Sequence, residues 1–295
     1  MKTYVTFLLF GILLLSSCSK EKNYSNSNSN SNSNSNNVDT SALGKFITAT
    51  GITDAQLKAN LDSLIARAKR HGWWDMCNVI YPLAGGRDST CMYNLKDPRN
   101  SDSAFRLTFL GGTWAFSSVA ANPGATGYGK TYFNPSVHIA DPNSCHLSVY
   151  SMDDAPGGMD NADIGAYDNF THLGFYLSTR DSFPDSSGKA FAIISSDPFQ
   201  GTGVNGAGYF LMTKTSSNIA TLYRNASILG ADSTVTTGLP NLDLFICNQN
   251  YNGATEPYFL GFSQRSLAFI TIGSGIDGAT QVLMNSDITS FVESK

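Results

Sequence analysis

The sequence predicts an all-β antiparallel sandwich with one helix before it and one after it. Two observations carry the β prediction. Short runs rich in aromatic and β-branched residues recur between Asn, Ser, Gly and Asp clusters: Tyr209 to Thr213, Ile219 to Tyr223, Leu242 to Cys247 and Leu267 to Ile272. Charged residues make up only 14% of the chain, well below the ~25% of an average soluble protein. Gly, Ser, Asn and Thr fill the gap, as many turns and a neutral, hydrogen-bonding surface require. Helical periodicity appears in two stretches, Thr53 to His71 and Gly278 to Ser294.

The chain has 295 residues, and its first forty or so are not domain material. The ~250 that remain suffice for one all-β unit. Met1 to Cys18 reads as a bacterial lipoprotein signal. Lys2 gives the positive start, Val5 to Leu15 is an apolar run too short to span a bilayer comfortably, and Leu15-Ser16-Ser17-Cys18 matches the lipobox pattern. That pattern implies cleavage before Cys18 and a diacylglycerol on its thiol. The competing reading is an ordinary secretory signal that carries a cysteine. Residues 1–17 are thus the signal peptide, and 18–41 the lipidated cysteine with a tether. The alternating Ser/Asn tract from Asn23 to Asn37 has almost no apolar surface to bury, so a flexible spacer is expected. Residues 42–295 form the domain. The expected location is the cell envelope, on the outer membrane, with the membrane face left open.

In the helix at Thr53 to His71, Leu57, Leu61, Leu64, Ile65 and Ala68 fall on one stripe. Thr53 with Gln56 suggests a capping box, and Gly72 a stop. The stripe reads as an N-terminal brace, with a partner-binding helix as the alternative. Trp73-Trp74 follows. Paired tryptophans can form a sugar-stacking platform, while the competing reading buries them at the helix–sheet junction. Ala104 to Leu110 alternates as a half-buried strand, with Phe105, Leu107 and Phe109 on one side, and Trp114 lies just beyond. Asn122 to Asn134 reads as loop. His146 to Met152, Leu173 to Thr179 and Ala190 to Ser195 read as strands, the first two separated by an Asp/Gly-rich segment, Asp153 to Asp168. Leu222 to Leu229 reads as a hairpin turning at Arg224 to Ala226. At the C-terminus Met284, Ile288, Phe291 and Val292 share one helix face.

Several of these segments resemble a known family. Ile80-Tyr81-Pro82, Gly85-Gly86 and Asn94-Leu95-Lys96-Asp97-Pro98-Arg99 resemble the opening of a concanavalin A-like (laminin-G-like) jelly-roll domain. Ile52-Thr53-Asp54-Ala55, Ala104-Phe105-Arg106-Leu107, Ser263-Gln264-Arg265, Ala268-Phe269 and Ile272-Gly273 are similar to the same family. The resemblance spans roughly Phe46 to Lys295. It implies an antiparallel jelly-roll β-sandwich, of a kind found in phage virion and tail-associated proteins and in secreted bacterial proteins. The fold hosts lectins, glycanases and structural modules alike, so it does not choose among them. Ala226 departs from the pattern, since such hairpins usually place glycine after asparagine.

The chemistry that would make a glycanase is sparse. Such enzymes need two carboxylates facing one sugar bond. The chain has three glutamates, Glu21, Glu256 and Glu293, and Glu256 stands alone. Asp153, Asp154, Asp160, Asp163 and Asp168 are candidate oxygen ligands for Ca²⁺, although no calcium-loop spacing is present and solvated turn aspartates are the competing reading. His71, His138, His146 and His172 show no metal-ligand spacing, and Cys145-His146 on a strand would point to opposite faces. No nucleophile elbow appears. Apart from Cys18, four cysteines allow three pairings. Cys77 and Cys91 flank the Gly85-Gly86 turn, and joining them would close a loop worth ~3 kcal/mol. Cys145 and Cys247 either pair across the sheets or stay as buried thiols. A net charge of −4 gives no footprint for nucleic acid.

These readings lead to a membrane-anchored, non-catalytic recognition domain that binds a glycan or another surface molecule and needs no cofactor unless calcium is bound. The candidate ligand-binding residues are Trp73, Trp74 and Trp114. The alternatives are a structural or assembly module related to phage virion domains and, with least support, a polysaccharide-active enzyme.

Overall fold

The computed structural model describes residues 41–155, 162–181, 188–201, 205–252 and 261–294. Cys18, the Ser/Asn tract, Asp160 and Glu256 lie outside the described residues. The fold is an all-β antiparallel jelly-roll sandwich with helices laid against one of its two sheets. Among the described residues no helix is long and apolar enough to cross a membrane.

The helical layer begins with α1 (Ala42–Thr50), which the sequence pattern did not announce. Its Ser41 cap accepts a hydrogen bond from the Gly44 amide at 3.0 Å, and left-handed Gly51 ends it. The segment contains Gly and β-branched residues with little helix preference. Burial of Phe46 in the helical core supplies what local propensity does not. Helix α2 (Ala55–Arg70) starts two residues later than expected. Asp54, not Thr53, is its cap, accepting from the Leu57 amide at 2.7 Å. Gln56 reaches Asn60 instead of closing a capping box. The expected stripe is buried in full, and left-handed Gly72 follows it. After α3 (Trp73–Met76), β1 (Cys77–Tyr81) enters the sandwich and α4 (Asp88–Cys91) leads away from it.

Fifteen further strands occur among the described residues. They are β2 (Thr108–Leu110), β3 (Ala115–Phe116), β4 (Ala121–Asn122), β5 (Tyr128–Lys130), β6 (Cys145–Ser151), β7 (Ile164–Asp168), β8 (Leu173–Asp181) and β9 (Lys189–Ser195). Then come β10 (Asp197–Gln200), β11 (Gly208–Ser216), β12 (Ile219–Arg224), β13 (Ser227–Asp232), β14 (Phe245–Ile246), β15 (Gln249–Tyr251) and β16 (Leu267–Gly273). A short helix, α5 (Pro135–His138), sits between β5 and β6, and α6 (Gly278–Glu293) ends the chain. The first sheet runs β13-β12-β11-β6-β16-β4-β3, with β1 also on β16. The second runs β10-β9-β8-β7-β14-β5-β2, with β15 on β7. The pairings are antiparallel except β15 with β7.

Strand alternation sorts the side chains into layers. Leu147, Val149, Phe210 and Met212 of the first sheet meet Ile164, Phe175, Leu177 and Ile194 of the second in the sandwich core. Their neighbours Tyr209, Leu211 and Phe269 face the other way and pack with Leu61, Leu64, Met284 and Phe291 of α2 and α6. Each such side chain contributes about 1.5–3 kcal/mol on burial. The helices are therefore a brace, and the first sheet is buried on both faces.

Four sequence expectations change. Ala104 to Leu110 is not one strand: Asp102–Ala104 is a tight turn, Phe105 is left-handed at φ 60°, and only Thr108–Leu110 enters a ladder. Tyr81 donates to the Phe105 carbonyl, and the Phe105 ring packs on Phe133 at 5.0 Å, which holds the break in place. The segments read as loop contain β5 and β7. The stretch Leu242 to Cys247 contributes just Phe245 and Ile246 to a ladder. Finally, Cys77 and Cys91 do not form the expected disulfide. Cys77 lies in the helical core with its thiol 3.9 Å from His146, whereas Cys91 lies in the sandwich core and points at the Ala84 carbonyl at 3.6 Å. Flanking one turn in sequence does not bring the two sulfurs onto one face.

The expected hairpin is present. Asn225 and Ala226 both have positive φ, 46° and 66°, as a primed turn requires. Asn225 Oδ1 also accepts from the Tyr209 amide at 2.9 Å, tying the turn to the neighbouring strand.

Candidate functional site

The structure separates the three tryptophans. Trp73 is fully buried and donates from Nε1 to Asp287 on α6 at 2.9 Å. Trp74 is also buried, with the Lys96 ammonium 4.5 Å from its ring centroid and that of Lys69 at 5.4 Å. Both cover the helix–sheet junction and offer no ring to a ligand, which corrects their candidacy. Trp114 is half-buried. Its Nε1 donates to the Leu110 carbonyl at 3.1 Å, and its ring lies nearly parallel to Phe116, 5.9 Å away at 12°. Phe109 approaches it at 4.7 Å. This trio closes the side of the sandwich where β2 and β3 are the edge strands.

Among the described residues the candidate calcium ligands, Asp153, Asp154, Asp163 and Asp168, are occupied by the fold. Asp153 accepts from the Ser266 and Ala155 amides at 3.0 and 3.2 Å. Asp154 accepts from the Gly206 amide and pairs with Arg180 at 2.6 Å, and these bonds hold its carboxyl below the usual range. Asp163 is fully buried against Arg265 at 2.9 Å, with Ser263 and the Thr179 amide as further donors. Asp168 caps its own turn, accepting from the Phe170 amide and Thr171 hydroxyl. Among the described residues no three His, Cys, Asp or Glu converge as a metal site.

The histidines and cysteines likewise serve packing. His71 donates from Nδ1 to Asp287 at 2.7 Å, beside Arg67 at 3.3 Å. His146 is buried with Nδ1 donating to the Ser274 carbonyl and Nε2 accepting from Thr271 at 3.0 Å. Burial pushes its pKa down to about 4, so the ring is neutral near pH 7. Cys145 faces the sandwich core and His146 the helical side, opposite faces of β6 as alternation demands. Burial pushes the Cys77 and Cys145 thiols up to about 12 and that of Cys247 well above its ordinary value, which makes them unreactive.

The feature that stands apart is the outer face of the second sheet. Helices α1, α2 and α6 belong to the other side of the sandwich. On β7, β8 and β9 the inward residues are Ile164, Ala166, Phe175, Leu177, Ala192 and Ile194, so Tyr167, Tyr176 and Phe191 face outward. On β5 and β14 Ile246 is inward and touches Gly129, so Tyr128 and Phe245 face outward. These rings associate in pairs: Tyr128 with Phe245 at 5.4 Å, Tyr167 with Tyr251 at 5.9 Å and Tyr176 with Phe191 at 5.5 Å. Interplanar angles of 18° and 24° make the second and third pairs stacked, while the first is tilted at 36°. The row crosses five neighbouring strands, β9-β8-β7-β14-β5, or about 19 Å at the usual strand spacing.

Two glycines make room for it. A Cβ on Gly165 would lie 1.9 Å from that of Tyr176, and one on Gly174 would lie 2.6 Å from Ile193 and 3.0 Å from the Tyr167 ring. Beside the row Phe170 is 83% exposed on the turn that Asp168 fixes. Tyr128, Phe245 and Tyr176 are only 7%, 3% and 9% exposed and form the floor of this face, whereas Tyr167, Phe191 and Tyr251 are half-buried and keep ring surface that can complement the C–H faces of sugar rings. The row escapes a linear reading because its rings come from six strands. The alternation of Tyr176 against Phe175 and Leu177 was its one visible trace.

No family model matches the chain, and no curated protein matches its sequence. Solved structures show similarity in overall shape. Domain 4 of AbnA, an extracellular arabinanase from Geobacillus stearothermophilus in complex with arabinotriose, gives a TM-score of 0.47 at 14% identity over 73% of this chain and 98% of that one. The botulinum neurotoxin serotype D binding domain gives 0.42 at 8% identity over 72% of this chain and 51% of that one. A mutant of the NanB sialidase from Streptococcus pneumoniae gives 0.36 at 15% identity over 49% and 24%.

Proposed function

We propose that the chain is a cell-envelope lipoprotein, anchored through Cys18 and the Ser/Asn tether, whose sandwich recognises a glycan without cleaving it. The observation that supports this reading best is the row of three ring pairs on the outer face of the second sheet. The half-buried rings of Tyr167, Tyr251 and Phe191 offer apolar surface to a chain of sugars, backed by the buried Tyr176. Half-buried rings cost little side-chain entropy on binding, because their neighbours already hold them. The aspartates that could have served calcium instead hold turns and ion pairs, which favours a metal-independent mode.

The test is a glycan array probed with the Cys18→Ala chain, in calcium and then in chelator. Binding that survives chelation and is lost on Tyr167→Ala supports the proposal. Absence of binding to any glycan overturns it and favours an assembly role. For the anchor, metabolic labelling with palmitate should mark the wild-type protein and not Cys18→Ala, and the variant should leave the membrane fraction. A labelled variant would refute lipidation at that residue.

A further inference from the structure

At one end of the ring row lies a group of polar side chains, Lys130, Tyr132 and Asp243, of which the two charged ones make no hydrogen bond or ion pair among the described residues. The register is fixed by β2, β5 and β14: Thr108 lies opposite Lys130, and Lys130 opposite Phe245. Beyond the ladder, Thr131 bonds through its amide and its hydroxyl to the Leu244 carbonyl, and Leu244 donates back to Phe133. Leu244 and Phe133 are core residues, so Tyr132 and Asp243 project outward, on the same face as Lys130 and Phe245. The Tyr132 and Thr108 hydroxyls are 3.0 Å apart. Tyr132 holds a left-handed φ of 57°, a costly conformation for a bulky residue.

Asp243 differs from the chain's other shielded carboxylates. Asp153, Asp154, Asp163, Asp168, Asp232 and Asp287 each accept hydrogen bonds from amides, hydroxyls or cations. The Asp243 carboxylate is half-buried, and among the described residues no hydrogen bond or ion pair reaches it. Burial pushes its pKa up, with His138 and Lys130 close enough to pull the other way. The Lys130 ammonium is likewise uncommitted, lying 5.8 Å from the Phe245 ring centroid. A desolvated carboxylate with no partner costs stability, so this one is best explained by a group that arrives from outside.

We propose that Lys130 and Asp243, with the Tyr132 hydroxyl, are the polar contacts of the glycan site and that its ligand is a neutral glycan. This rests on the glycan reading above. The carboxylate can accept hydrogen bonds from two neighbouring sugar hydroxyls while the ammonium donates to a third. An acidic sugar would bring its own carboxylate or sulfate against Asp243 and be repelled.

The experiment is titration calorimetry of the Cys18→Ala chain with neutral hexaoses (xylo-, arabino-, cello- and manno-), and with polygalacturonate as the acidic comparator. The expected result is binding of at least one neutral hexaose, weakened about tenfold by Asp243→Asn and by Lys130→Gln. Asp243→Asn should leave the urea midpoint unchanged or higher, whereas a structural role would lower it. Binding abolished by Tyr167→Ala but untouched by both polar variants would overturn this inference and leave the glycan reading standing. Preference for polygalacturonate would overturn the neutral class. If no glycan on the array or in this set binds, both readings fall.

Discussion

Acid should weaken this fold through one buried ring. His146 sits on β6 between sheet and helices, donating to the Ser274 carbonyl and accepting from Thr271, which itself meets Ser148 at 2.6 Å. Every neighbour is arranged for a neutral imidazole with its proton on Nδ1. Its pKa falls from 6.5 to about 4 because burial disfavours the charged form. Above pH 6.5 neither state binds the proton, and the group is silent. Below it, the unfolded chain takes up a proton that the native state refuses, so stability drops until the native ring also titrates near pH 4. The shift of about 2.5 units corresponds to about 3 kcal/mol in all, most of it lost by about pH 4.5. That is a large share of a typical domain's stability. The depressed carboxylates Asp97, Asp154, Asp168 and Asp277 lose their contribution mainly below their unfolded value of 3.8, so they leave this window largely to His146. The assay is urea unfolding between about pH 7.5 and about pH 4.5, followed by tryptophan fluorescence, for wild type and His146→Gln. The variant is less stable near neutrality, because Gln cannot reproduce both hydrogen bonds, but it should lack the steep acid loss. A stability difference between the two proteins that stays constant across this range would refute the argument.

Other perturbations should act locally. Asp287→Ala removes the acceptor shared by Arg67, His71 and Trp73, and should cost about 3 kcal/mol in urea unfolding while detaching α6 from α2. Ala226→Gly relieves a Cβ at φ 66° and should raise stability by about 1 kcal/mol, seen as a higher urea midpoint. Gly165→Ala puts a methyl 1.9 Å from the Tyr176 Cβ. It should cost about 2–3 kcal/mol and change the near-ultraviolet circular dichroism of the ring row.

Local patterns carried much of the architecture. The stripe Leu57, Leu61, Leu64, Ile65 and Ala68 announced α2 because its period is helical whatever packs on it. The turn at Asn225-Ala226 was visible because asparagine tolerates positive φ between two apolar runs, although Ala226 stands where glycine is usual. By contrast β7, Ile-Gly-Ala-Tyr-Asp, looks like a loop: its glycine answers to a tyrosine on the neighbouring strand, and no window of sequence contains both. The phenylalanine at 105 alternates like a strand residue yet ends in a turn that Tyr81 holds from 24 residues away. The candidate site suffered most. Tryptophan is the conspicuous residue for stacking, yet the helical core consumes Trp73 and Trp74. The rings on the outer face of the second sheet, three of them buried, are tyrosines and phenylalanines dispersed from Tyr128 to Tyr251, and only sheet order gathers them.

The placement of β16 has a consequence for how the protein is made. The last strand of the chain lies inside the first sheet, with β6 on one side and β1 and β4 on the other. Cys77 of β1 pairs with Gly273 of β16, so the sheet cannot close until β16 has been synthesised. A nascent chain that lacks β16 has an open slot where its central strand belongs, and the pairing that fills it spans a long loop whose closure is slow. Until then β1, β4 and β6 expose their edges to one another and to other chains. The order of strands thus makes completion of the first sheet wait for the synthesis of β16.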